Sequence, residues 1–152
     1  MSQGSITERK SLLEFAVRLA RGAGEIANQY FKGSFVTERK ADQSLVTNAD
    51  RETEEYLRTA IEQAFPDDGI LGEEAAERIG TSGRRWIIDP IDGTYSFVHG
   101  VPPYAVLIGL EVDDDPLLGV VNLPALNERV RGAGVGMFLE WRTGTSITDD
   151  VA

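Results

Sequence analysis

At 152 residues, 41% of them apolar, the chain can bury one core and is too short to suggest two domains. Its 25 acidic and 15 basic side chains give a formal charge of −10. That excludes a general electrostatic grip on nucleic acid, and it means that any phosphate site must contain a cation. Cysteine is absent, which excludes disulfides, thiolate metal sites and a cysteine nucleophile. No run approaches the ~20 apolar residues of a membrane span. The first fifteen residues turn charged before a leader-like apolar run develops. The expectation is a cytoplasmic domain with neither nucleic acid nor membrane as a partner.

From 11 to 31, apolar residues recur at Leu12, Phe15, Ala16, Leu19, Ala20, Ala23, Ile26, Ala27 and Tyr30. This three-to-four spacing predicts an amphipathic helix, with Arg18, Arg21 and Glu25 facing outward. Residues 34–46 alternate irregularly and predict a loop, from which Lys40 could reach the site electrostatically, although a loop lysine is usually solvated. A second helix is predicted from Thr47 or Asn48, either of which can cap it, to Ala64. Asp50, Glu52, Glu54 and Glu55 crowd its first turns, where the helix dipole favours anions. Tyr56, Leu57, Ala60, Ile61 and Ala64 form its predicted buried stripe. Ile70-Leu71 predicts a short strand running into Gly72-Glu73-Glu74. After a polar loop, Trp86-Ile87-Ile88 reads as a buried strand ending abruptly at Asp89-Pro90, and a helix can start at Gly93-Thr94. Beyond Val101 the texture becomes β, with strands over 105–112, 117–123, 128–133 and 136–141 in an antiparallel meander. Helices first and strands later predict an α+β layered sandwich, with two N-terminal helices packed on a largely antiparallel sheet.

The chemistry concentrates in acidic residues that flank these elements. In DPIDGT (89–94) a buried strand delivers Asp89, Pro90 stiffens the turn, and Asp92 lies near enough to share an ion with Asp89. Gly93 permits close backbone approach, and Thr94 opens a helix whose free N–H groups can hold a phosphate oxygen. Two adjacent carboxylates repel unless a divalent cation or a proton lies between them. Oxygen-only ligands point to Mg²⁺ rather than Zn²⁺, and a metal beside a phosphate cradle is a phosphoryl-transfer arrangement. Taken singly, each feature is ordinary: Asp-Pro turns, paired surface glutamates and a helix-end aspartate are common. Their joint occurrence, in order and at strand ends, carries the reading. The lone His99 reads as a structural side chain or a surface group rather than a base, and Trp86 and Phe97 read as core.

Three segments, LVTNAD (45–50), GEE (72–74) and WIIDPIDGT (86–94) followed by Phe97 and Gly100, resemble the N-terminal motifs of the inositol monophosphatase family. The likeness runs from about residue 10 and includes GVVNLPALNE (119–128). It implies an inositol monophosphatase-like fold and a Mg²⁺-dependent phosphomonoesterase acting on a small alcohol phosphate, inositol monophosphate or histidinol phosphate. It further implies direct in-line attack by metal-activated water, without a phosphoenzyme. Glu73 and Asp89, with the carbonyl of Ile91, would ligate one Mg²⁺, and Asp89 and Asp92 a second. Asp92, Gly93 and Thr94 would meet the substrate, the latter two through main-chain N–H groups. The Thr94 hydroxyl and Asp50 would orient and deprotonate the water, with Glu73 also in the catalytic set. For Glu74 two roles stay open: ordering a water on the metal, or supporting the ligands from behind.

Two departures qualify the likeness. A later Trp-Asp motif of the family has no match: Trp141 precedes Arg142, and Asp149-Asp150 follow Thr148. The expectation is a single domain over 1–152, the N-terminal metal-binding half of the family fold with the C-terminal half absent. Thr94-Tyr95-Ser96 and Pro102-Pro103-Tyr104 lean toward the histidinol-phosphatase branch. A small phosphorylated metabolite is the expected partner, and the family analogy suggests a homodimer. The alternative is a catalytically silent module that binds metal or a partner chain. An acidic Ca²⁺-binding protein is disfavoured, because the aspartate spacing fits no EF-hand loop.

Overall fold

Twelve elements follow one another in a computed structural model that describes residues 6–102, 104–133, 136–141 and 146–147. Pro103, Arg142, Thr148, Asp149 and Asp150 fall outside the described residues. Helix α1 (Ile6–Tyr30) is followed by a hairpin of β1 (Thr37–Arg39) and β2 (Leu45–Thr47), and then by helix α2 (Asn48–Ala64). Next come β3 (Gly69–Leu71), β4 (Arg84–Asp92), the short helix α3 (Thr94–Val98), β5 (Ala105–Val112) and β6 (Asp115–Leu123). Strands β7 (Glu128–Ala133), β8 (Gly136–Trp141) and β9 (Ser146–Ile147) complete the series.

The seven strands β3 to β9 form one sheet in chain order. Only β3 and β4 run parallel, and every later pair is antiparallel. The two long helices lie on this sheet, α1 against β5, β6 and β7 and α2 against β4, and they pack on each other. The predicted α+β layering is therefore the architecture of the chain. Its cause is visible in β5, where buried Val106, Ile108, Leu110 and Val112 alternate with less buried Leu107, Gly109 and Glu111. The buried set meets Ala16, Ala20, Leu57, Ile61, Trp86 and Val120 in the main core. Trp86 is fully buried, and its indole N–H donates to Asp68 Oδ2 at 2.9 Å. The β5–β6 turn places Asp113 and Asp114 at positive φ, the geometry that matches strand twist in a two-residue hairpin loop.

Three predictions need correction. Residues 34–46 are not a featureless loop, since β1 and β2 pair within them. The strand through Trp86 does not stop at Asp89-Pro90 but runs on to Asp92. The buried stripe of α2 is Ala49, Asp50, Thr53, Glu54, Leu57 and Ile61, whereas Tyr56 and Ala64 are exposed. Three polar side chains, Asp50, Thr53 and Glu54, thus extend the buried stripe toward the start of α2.

Candidate active site

Regular strands send residues three apart to opposite faces. Asp89 and Asp92 are three apart in β4, yet Asp89 pairs with Leu107 and Asp92 with Ala105, which are only two apart in β5. One extra residue in β4 makes a bulge there, and the bulge returns both carboxylates to one face of the sheet. Pro90, which has no N–H to give a neighbouring strand, sits where the ladder is interrupted. Ile91 anchors the turn: its side chain is 2% exposed and packs with Ala27, Ala49, Phe97 and Tyr104. The rings of Phe31, Phe97 and Tyr104 stand with their centres within 5.7 Å of one another, and Phe35 joins them 5.4 Å from Phe97. Gly93 follows with φ 84°, a left-handed conformation that a side chain disfavours, and this reversal starts α3.

Helix α2 supplies the next residue. Thr47 caps it in a reciprocal capping box: the Thr47 hydroxyl accepts from the Asp50 N–H, and an Asp50 carboxylate oxygen accepts from the Thr47 N–H at 2.7 Å. Asp50 is 1% exposed, and its second oxygen, Oδ1, lies 3.0 Å from the Thr94 hydroxyl. That hydroxyl is also 3.1 Å from the Ile91 carbonyl. With one proton to give, it favours the charged acceptor. Asp50 thus ties the start of α2 to the turn that carries Asp92.

The acidic turn after β3 is held differently. Glu54 of α2, 2% exposed, accepts the main-chain N–H groups of Glu74 and Ala75, both at 2.9 Å. Glu74 pairs with Lys40 Nζ at 2.9 Å, so Lys40 reaches the site from the β1–β2 hairpin. Reading the sequence missed Glu54, whose charge matched the acidic N-terminal turns. The available signal was its place on the Leu57–Ile61 stripe, where an unpaired charge has no business.

Glu73, Glu74, Asp89, Ile91, Asp92, Gly93 and Thr94 line one cavity of about 750 Å³, with Arg39, Lys40, Tyr95 and His99 among its other walls. Asp50 lies behind Thr94. Every predicted site residue is therefore in this cavity or bonded to its wall. The Asp89 carboxyl is pushed up to about 7 by burial first, then by the negative charges of Glu73, Asp92 and Asp50, against an opposing hydrogen bond from the Ile91 N–H. Burial also raises Glu74, partly offset by Lys40. Burial disfavours the Lys40 ammonium, but Glu74, Glu73 and Asp50 outweigh it and hold the pKa above the usual lysine value. His99 is exposed, and its Nδ1 is 2.7 Å from the Tyr95 carbonyl, in keeping with a structural role. Among the described residues, no three acidic or imidazole side chains are drawn together tightly enough to hold a metal ion. The chemistry of the candidate donors nevertheless suits one: all are oxygens, and the repulsion concentrated on Asp89 is the kind a divalent cation relieves.

The model of the inositol monophosphatase family matches residues 8–146. The chain belongs to that family. A histidinol-phosphatase of Chlorobaculum parvum, strain DSM 263 / NCIMB 8327, is 50% identical over 129 residues, which cover 82% of this chain and 50% of the relative. Among solved structures, an IMPase from Thermotoga maritima superposes with a TM-score of 0.79 at 35% identity, covering 86% of this chain and 51% of that one. An IMPase/NADP phosphatase complexed with Mg²⁺ and phosphate shares the fold, with a TM-score of 0.77 at 23% identity over 87% of this chain and 51% of its own. The chain spans about half the length of the curated relatives it matches.

Proposed function

We propose that this chain carries the metal- and phosphate-binding residues of a Mg²⁺-dependent phosphomonoesterase that hydrolyses a small alcohol phosphate, histidinol phosphate or inositol monophosphate. One observation carries the reading: Glu73, Asp89 and Asp92 share a cavity whose wall holds the Asp50–Thr94 hydrogen bond. Glu73, Asp89, Asp92 and the Ile91 carbonyl would hold Mg²⁺. When bound, Mg²⁺ supplies charge neutralisation at the phosphate and a lowered pKa for water. The chain's own groups do the rest. The main-chain N–H groups at the start of α3, which lack partners within the helix, bind phosphate oxygens. Asp50 orients the Thr94 hydroxyl and, through it, receives a proton from the attacking water. Lys40 pairs with Glu74 at the rim and offsets part of the burial that raises its carboxyl. The 50% identity to a histidinol-phosphatase favours that substrate over the inositol ester.

The test is hydrolysis of histidinol phosphate, inositol 1-phosphate and an aryl phosphate, with Mg²⁺ and with chelator. Turnover that vanishes with chelator and in Asp92→Asn supports the reading, and turnover indifferent to both refutes it. The second reading is a catalytically silent module that binds metal or a partner chain. Metal binding without turnover for any of the three esters selects it.

A further inference from the structure

Glu54 does not line the cavity, but its hydrogen bonds converge on the turn that does. Its Oε1 accepts the Glu74 N–H at 2.9 Å, and its Oε2 accepts the Ala75 N–H at 2.9 Å and Arg58 Nε at 3.1 Å. Arg58, one helical turn further along α2, donates in addition to the Ala75 carbonyl at 3.0 Å. Two side chains of one helix thus grip both polar groups of residue 75 and the amide of residue 74. Gly72 makes room for this grip: a Cβ there would stand 2.4 Å from Glu54 Oε1 and 3.0 Å from Arg58 Nη2.

A purely structural account explains this poorly. Glu54 lies on the buried stripe with Leu57 and Ile61, where an apolar side chain would extend the core. Buried ion pairs add little net stability over well-packed apolar residues of similar volume. What a carboxylate does here, and an apolar side chain cannot, is fix two successive amides. Those amides set the direction in which the Glu73 and Glu74 side chains leave the main chain.

We propose that Glu54 is a positioning residue of this site: by binding the amides of Glu74 and Ala75, with Arg58 and Gly72 completing the grip, it aims Glu73 into the cavity that Asp89 and Asp92 share. The inference rests on reading Glu73 as a cation ligand. Partners that orient metal ligands from behind change metal affinity by roughly 10–100-fold when removed.

The test compares wild type, Glu54→Ala, Glu54→Gln and Leu110→Ala, the last a core truncation beside Trp86, away from the acidic turn. Amide hydrogen exchange at Glu74 and Ala75 is measured without metal, and Mg²⁺ affinity is measured by calorimetry. In wild type both amides should be protected. Glu54→Ala should free them selectively and weaken Mg²⁺ binding by ~10–100-fold. Glu54→Gln, which keeps one acceptor oxygen, should fall between and carries the test if the alanine variant does not fold. Leu110→Ala should lower the melting temperature while leaving Mg²⁺ affinity unchanged. Unprotected amides in wild type, or equal Mg²⁺ affinity in Glu54→Ala and wild type, overturn the positioning role alone. A wild type that binds no Mg²⁺ overturns the cation reading and this inference with it.

Discussion

Replacing Asp89 with asparagine should stabilise the chain in metal-free buffer above neutral pH. The Asp89 carboxyl is raised from an ordinary 3.8 to about 7 by burial and by Glu73, Asp92 and Asp50. The folded state therefore binds this proton more tightly than the unfolded state, and that contribution is complete only below pH ~4. It is lost progressively as pH rises to about 7. At ~1.4 kcal/mol per unit the unscreened loss is ~4 kcal/mol. Asp89 is only half-buried, so solvent screening reduces the figure to ~1–2 kcal/mol. Asparagine has nearly the same shape, still accepts from the Ile91 N–H, and cannot ionise. Melting curves in chelator should place Asp89→Asn about 2–8 °C above wild type at pH 8 and level with it near pH 4. Excess Mg²⁺ should then raise wild type and leave the variant where it was. A variant less stable than wild type at pH 8, or a gap that does not change with pH, refutes the reasoning.

Removing the Thr94 hydroxyl with Thr94→Val should leave Asp50 one donor short, cost ~1–2 kcal/mol and cut turnover by ~10²–10⁴-fold, as read by denaturant melts and a phosphate-release assay. Thr94 is the cleaner target, because Asp50→Ala would remove half of the α2 capping box as well. Thr47→Ala should lower stability by ~1 kcal/mol through loss of the cap, measured by urea unfolding. Gly72→Ala should force Glu54 off its two amides, costing ~1–3 kcal/mol in the same assay, and a variant as stable as wild type would contradict the tight packing there.

What the sequence disclosed is what local chemistry enforces. Thr47 and Asn48 announce a helix start, although the box that Thr47 forms with Asp50 appears only in the structure, and the spacing in 105–133 announces the meander. DPIDGT marked the candidate site but hid how it is built: a proline after Asp89 looks like the end of a strand, although here it belongs to the bulge that turns Asp92 to the same face. The β1 residues are all exposed and carry no alternation, so the hairpin and the Lys40–Glu74 pair it delivers could not be read from periodicity. Glu54 was hidden because an acidic residue early in a helix has a sufficient local reason to be there. Its partners lie twenty residues away, across a turn that only tertiary packing brings close.

The central claim is that carboxylates from β4 and from the turn after β3 hold a divalent cation beside the Thr94 turn. Anomalous diffraction from a crystal of the chain soaked in manganese chloride tests it directly. The account predicts a manganese peak about 2.0–2.3 Å from oxygens of Glu73, Asp89 and Asp92, with the Ile91 carbonyl completing the set. A peak elsewhere on the surface, or none at saturating manganese, would contradict it.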